Sequence, residues 1–490
     1  MLKFKKLMAL TMGTLMGASI VLTGCSTSKS ANGESGKNSQ PVELVWYTIG
    51  APQKDTEKVN EEINKYIKDK IGATVKIKQI DWGDYSKKMQ IVVNSGEEYD
   101  IAFTCSWAND YLSNARKGAF IALNDPKNNL LDKYAKDTYN AVDPGFWEGA
   151  KLDGKIYAVP TNKELGVAPM WVFTKEYVDK YKIDISKIKN LEDLEPYLKI
   201  IKEKEPDVVP FYITKDYSVP NYFDKPIDST PVGIGLDDSS LKVVNTFETD
   251  KVKKQLETMN KYYKAGYINK DAATAKDEKT VKRFVTKGDG QPYADVLWSK
   301  DLGYQVVATP IMDTYITNGS TTGAMQAISV TSKHPDKAMQ FLNLLNTDKT
   351  LRNLVNYGIE GVHYQKAGDN QIKILPDQKN YQMPYFSLGN LFITYTLDNE
   401  PKTKWDEFKK FNAESKKSSS LGFKFDPAPV NTEVAGLKNV LDEFSPSLYS
   451  GTVDPNEYLP KLNAKLKSSG IDKIITEMQK QVDDWKSKNK

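Results

Sequence analysis

The chain has 490 residues, of which 39% are hydrophobic and 27% charged; 68 basic and 64 acidic side chains leave a formal charge of +4. Charge this evenly balanced excludes a surface organised around a polyanion, so no nucleic-acid partner is expected. With two cysteines there is no disulfide framework, and stability has to come from a core that a chain of this length can bury.

Lys3, Lys5 and Lys6 precede a run without charges from Leu7 to Leu22, the layout of a signal peptide over residues 1–24. The closing Leu22-Thr23-Gly24-Cys25 resembles the lipobox of bacterial lipoproteins, which implies cleavage before Cys25 and lipidation of that residue. Loss of residues 1–24 removes three lysines and no acid, taking the charge from +4 to about +1. Residues 26–40 carry nothing more apolar than alanine, so 25–40 reads as a lipidated, flexible linker. No later stretch approaches the 18 apolar residues that a membrane span needs.

The body opens with a strand at 42–47, a helix over 54–71 stopped by Gly72, and a second strand at 74–80. A helix follows Trp82-Gly83-Asp84 and ends near Ser95-Gly96; Tyr99 to Phe103 is the short apolar strand of a buried parallel sheet. Residues 151–160 read as a hairpin turned at Asp153-Gly154 and leading into an extended segment. The pattern then restarts: a strand near 171–173, helices over 175–181, 191–204 and 250–265, and an extended segment over 304–310. Pro335 suits the first turn of another helix, and Ile475, Met478, Val482 and Trp485 form the apolar stripe of a terminal one. Helix and strand alternate throughout, so the fold class is α/β.

Several of these segments together resemble the extracellular solute-binding proteins of ABC importers, in particular a large Gram-positive lipoprotein subgroup. They are Asp81-Trp82-Gly83-Asp84-Tyr85, Tyr99 to Phe103 with Trp107 to Tyr111, Leu152 to Asn162, Asn356 to Tyr364, and Ser469 to Asp472 with Gln481, Val482 and Trp485. The resemblance spans nearly all of the chain after the linker. It implies a two-lobed, periplasmic-binding-protein-like (type II) fold whose lobes close over a ligand and present it to membrane permease subunits. The N-terminal lobe is expected over 41–160 and 309–365, the C-terminal lobe over 161–308 and 366–490. A monomer held at the outer face of the cell membrane by its lipid, with an oligosaccharide as ligand, is the implied state.

Residue chemistry agrees with a sugar. Sugars offer flat C–H faces to aromatic rings and hydroxyls to Asp, Asn and Glu, and ligands in α/β folds sit beyond the carboxyl ends of strands. Trp46, Trp82 with Asp84, and Trp107 with Asn109 and Asp110 occupy such ends. Asn162 and Glu164 follow the hairpin at the expected hinge, and Trp298 precedes the strand beginning near Tyr304. For each tryptophan the plain alternative is core packing. Trp147 is read as core or interlobe packing, Trp485 as core, and Glu360 and His363 as parts of a glycine-bracketed turn.

An enzyme would need a constellation the sequence does not present. It has two histidines, no H-E-x-x-H, no Cys/His cluster, no G-x-S-x-G elbow and no phosphate-binding loop. No catalytic residue, metal or cofactor is therefore expected, and Cys105 is read as a small buried residue. The alternatives kept open are a peptide- or other small-solute-binding lipoprotein and a surface glycoside hydrolase using two carboxylates.

Overall fold

The computed structural model describes residues 40–228, 230–276 and 279–488. The expected signal peptide, the lipidation site Cys25 and the linker as far as residue 39 lie outside the described residues. Among the described residues no helix is long and apolar enough to cross a membrane.

Two sheets carry the structure. The first has five strands in the order Ala73–Ile80, Val42–Ile49, Ile101–Thr104, Met325–Ile328 and Ala158–Pro160. The first three run parallel, and Met325–Ile328 is antiparallel to both of its neighbours. Helices cover both faces, so Val42–Ile49 is nearly all apolar rather than alternating: Trp46 points toward Phe341, whereas Tyr47 points the other way toward Tyr99. Gly72 and Gly96 end the two flanking helices in the left-handed conformation, at φ of 64° and 69°, as their sequence positions predict.

The second sheet runs Val306–Pro310, Ala168–Thr174, Arg283–Gly290 and Val209–Phe211. Its core joins Trp171, Phe173 and Phe284 to Leu256 and Tyr262 of the helix Asp250–Lys264. Leu437, Leu462 and Met478, from the three helices Asn431–Tyr449, Pro455–Ser468 and Ile471–Lys488, complete it. The hairpin at Asp153-Gly154 forms with both residues at positive φ, 51° and 77°.

Three segments run side by side between the two cores. Val167 donates its N–H to the Tyr315 carbonyl (3.3 Å), Lys416 to Thr314 (2.9 Å) and Ser418 to Ile316 (2.9 Å). The third passage thus lies at 415–418, whereas the sequence placed it at 365/366. The reason is packing: Tyr381, Met383 and Leu388 are buried in the first core, and Asn412 still accepts the Leu165 N–H and donates to the Lys163 carbonyl. The second passage is later than expected too, because Ile311 still belongs to the second core.

One buried carboxylate ties the second and third passages together. Asp224 Oδ2 accepts hydrogen bonds from Asn318 Nδ2 (3.0 Å), Ser418 Oγ (2.6 Å) and Ser420 Oγ (3.0 Å). Asn318 follows the second passage, while the two serines end the third. Shared donors of this kind are how a buried charge is held in a protein interior.

Candidate ligand-binding surface

At the carboxyl edge of the first sheet, two loops carry tryptophans outward. Trp82 follows Ala73–Ile80 and is 46% exposed; Trp107 follows Ile101–Thr104 and is 52% exposed. Tyr85, fully buried, donates its hydroxyl to the Phe103 carbonyl (2.7 Å), so the loop of Trp82 is fastened to the strand that bears Trp107. Trp107 is oriented by its own N–H, which donates to the Gly323 carbonyl at 2.9 Å. The rings lie 6.3 Å apart at an interplanar angle of 21°.

A third ring comes from far along the chain. Phe386, in the single 3-10 turn Tyr385–Ser387, lies 6.1 Å from Trp82 and 6.4 Å from Trp107. Tyr385 stands edge-on to it at 5.9 Å. The turn can approach because Gly50 ends the first strand without a side chain: at φ 135°, a Cβ there would meet Pro384 Cγ at 2.9 Å and Gln79 Nε2 at 2.8 Å. The result is an apolar wall of three rings in which Trp82 and Trp107 are about half exposed and Phe386 partly buried; the exposed Asp84 and Asp110 follow the two tryptophans by two and three residues.

The remaining expected site residues divide. Trp46 is a correction: it is 0% exposed, edge-on to Phe341 at 5.6 Å, and donates its N–H to Gln326 Oε1 at 2.9 Å, so it is core. Asn109 is a buried turn residue at φ 48°, donating to the Phe103 carbonyl and accepting from Asn114, and is not presented to a ligand. Asp110 caps the helix Tyr111–Arg116 through Ser113 N–H (2.8 Å), and Asp84 stands at the start of Tyr85–Ser95 without a capping bond. Asn162 is 4% exposed, donates to the Ala141 carbonyl, and lines a separate cavity of about 320 Å³ beside Asn390 and Asn412.

Glu164 pairs with Lys163 at 2.7 Å. Burial first, then the carboxylates of Glu164 and Glu400, raise the Tyr385 phenol above its ordinary pKa. Trp298, on the helix Ala294–Leu302, packs its six-membered ring against Gly288 and Gly290 of the second sheet; a Cβ on those glycines would stand 2.9 Å and 2.7 Å from the indole. It makes no ring contact with the three-ring wall among the described residues. A larger cavity, about 1090 Å³, opens beside the passages at 310–316 and 414–416 and holds none of the expected site residues.

Reasoning from the sequence missed Tyr385 and Phe386. The signal available was two adjacent aromatics directly after a proline, but nothing local connects residue 386 to residues 82 and 107.

Two α/β sheets with separate cores, joined by three adjacent passages and bearing aromatics at strand ends, are the architecture of a two-lobed (type II) binding fold. Residues 50–351 match the bacterial extracellular solute-binding proteins. The chain belongs to that family. Residues 419–487, which begin just past the third passage, match a domain of unknown function. This solute-binding protein is 38% identical, over 95% of its length and 94% of the relative's, to a carbohydrate ABC transporter substrate-binding protein of Streptococcus pneumoniae. Its fold matches the crystal structure of the N-glycan transport solute binding protein of S. pneumoniae with a TM-score of 0.84, covering 92% of this chain and 100% of that one, at 38% identity. Against that protein in complex with Man5GlcNAc the TM-score is 0.70, at 37% identity and with 92% and 99% covered.

The other features that could suggest catalysis have structural explanations. His363 is buried, with Nδ1 accepting the Ile359 N–H (2.9 Å) and Nε2 3.1 Å from Asp55 Oδ2. Cys105 is buried, and burial pushes its thiol up to about 12. Among the described residues no cluster of three or more His, Cys, Asp or Glu could hold a metal ion.

Proposed function

We propose that this solute-binding protein captures an oligosaccharide between its lobes and hands it, unchanged, to the permease of an ABC importer. The observation that carries this reading is the pair of half-exposed rings Trp82 and Trp107, with the partly buried Phe386 packed against both. Tryptophans left half in water at strand ends offer a surface matched to the C–H face of a sugar, and the exposed Asp84 and Asp110 close to them in the chain are suited to hydroxyl groups. The family, and the relatives that transport carbohydrate and bind Man5GlcNAc, support the same ligand class.

The lobes are proposed as 41–165 with 317–415, and 168–314 with 418–488, and Glu164 and Trp298 as further ligand contacts brought in when the lobes close. The lipobox-like Leu22 to Cys25 supports anchoring of the protein on the outer face of the membrane through Cys25. At about 0.8 kcal/mol per buried methylene, two or more acyl chains hold a protein stably. Cys25→Ser is expected to release the protein or leave it unprocessed; full membrane retention after normal cleavage would refute the anchor.

Calorimetric titration with Man5GlcNAc, and with a panel of other glycans and of peptides, tests the ligand class. Saturable binding of a glycan that is recovered intact is the expected result. Peptide binding without any glycan response, or cleavage of the glycan, would overturn it.

A further inference from the structure

The aromatic wall rests on a turn that pairs with no strand. Tyr385–Ser387 is one turn of 3-10 helix, and its place is set by buried side chains that grip its carbonyl groups. Gln326, in the interior strand Met325–Ile328 of the first sheet, donates Nε2 to the Ser387 carbonyl at 2.5 Å. Arg352, on the helix Lys349–Tyr357, donates Nη2 to the Tyr385 carbonyl at 2.8 Å. Phe386 sits between the two gripped carbonyls.

Both grips are built with little freedom. Gln326 is buried, and its Oε1 accepts the N–H of Trp46 at 2.9 Å. A flipped amide would set donor against donor at Trp46 and acceptor against acceptor at Ser387, so the indole dictates which end faces the turn. Arg352 is 0% exposed, and its other arm donates to Asn356 Oδ1 at 2.9 Å; both of its acceptors are uncharged oxygens. A guanidinium held in the interior by carbonyl oxygens alone, and an amide in a strand flanked by Phe103 and Val159, are poor choices for core packing. Both become intelligible through what they hold.

We propose that Gln326 and Arg352 are positioning residues for ligand binding: by gripping the carbonyls on either side of Phe386 they fix its ring against Trp82 and Trp107. The aromatic wall then has a set width before any ligand arrives, and Trp46, expected from the sequence to touch ligand, acts through Gln326 instead. This rests on the reading of the three rings as the ligand surface.

The test pairs Gln326→Met, of similar volume but without hydrogen-bonding ability, with Phe386→Ala. In a crystal structure of ligand-free Gln326→Met, the Phe386 ring is expected to leave its contact with Trp82; an undisturbed turn overturns the proposal. In calorimetry with Man5GlcNAc, Gln326→Met is expected to bind roughly tenfold more weakly than wild type. It should add no further loss in the Phe386→Ala background, and equal losses in both backgrounds overturn the proposal. Should the wild type bind no glycan, the oligosaccharide reading fails, while the ring geometry still decides whether Gln326 positions the turn. If Gln326→Met does not fold, Arg352→Lys, which keeps the charge but reaches only one of two acceptors, is read by the same two measurements.

Discussion

The indole of Trp82 lies 6.3 Å from that of Trp107 and within 21° of parallel, with about half of each residue exposed. Each ring already keeps about half its surface in water, so removing one costs less packing than removing a buried ring, although Trp107 also touches the buried Phe103 at 5.8 Å. Trp107→Ala is expected to weaken oligosaccharide binding by about 1–3 kcal/mol, roughly ten- to hundredfold. Its melting temperature should change little. Calorimetry and thermal unfolding on the same sample check this: a large fall in melting temperature with unchanged affinity in the folded fraction would count against ligand stacking.

Trp46 should behave in the opposite way. It is fully buried against Phe341, and its N–H is satisfied by Gln326. Trp46→Ala is expected to cost about 3–5 kcal/mol of stability, through lost packing and the cavity left behind. Denaturant unfolding measures this, and a loss below about 1 kcal/mol would contradict the core assignment.

Asp224 joins two of the three passages between the lobes through Asn318, Ser418 and Ser420. Asp224→Ala strands these donors in the interior, and each buried unsatisfied group is worth about 1–3 kcal/mol. A stability loss on the order of 2–5 kcal/mol is expected in denaturant unfolding. A neutral substitution would show that the network is replaceable by water.

Cys105 gives a pH-dependent prediction. Burial raises its thiol from an ordinary value of 9.0 to about 12 in the fold. The folded state therefore keeps a proton that the unfolded state loses first; the contribution is fully present below pH 9 and is lost as pH rises toward 12. Stability should fall across that window, and less steeply in Cys105→Ala, as followed by urea unfolding at a series of pH values. At pH 8 the native thiol should react slowly with a disulfide reagent and quickly once unfolded. Fast native labelling would contradict burial.

Local pattern alone determined much of this protein. Apolar spacing and glycine stops placed the opening strand–helix–strand–helix run to within a few residues, because a helix cap or a buried strand is written in neighbouring positions. The same reading put Trp82 and Trp107 just beyond strand ends, and there the structure finds them. What local pattern could not decide was direction in a strand buried on both faces: Val42–Ile49 has no polar alternation, so nothing in it distinguishes a Trp46 aimed at Phe341 from one aimed outward. Nor could it show that Phe386 meets residues some three hundred positions earlier, or that the chain makes its third passage at 415–418. Those outcomes depend on which distant apolar segments bury one another, Tyr381, Met383 and Leu388 in the first core and Phe423 and Phe425 in the second. Such packing is settled only when the whole chain has closed.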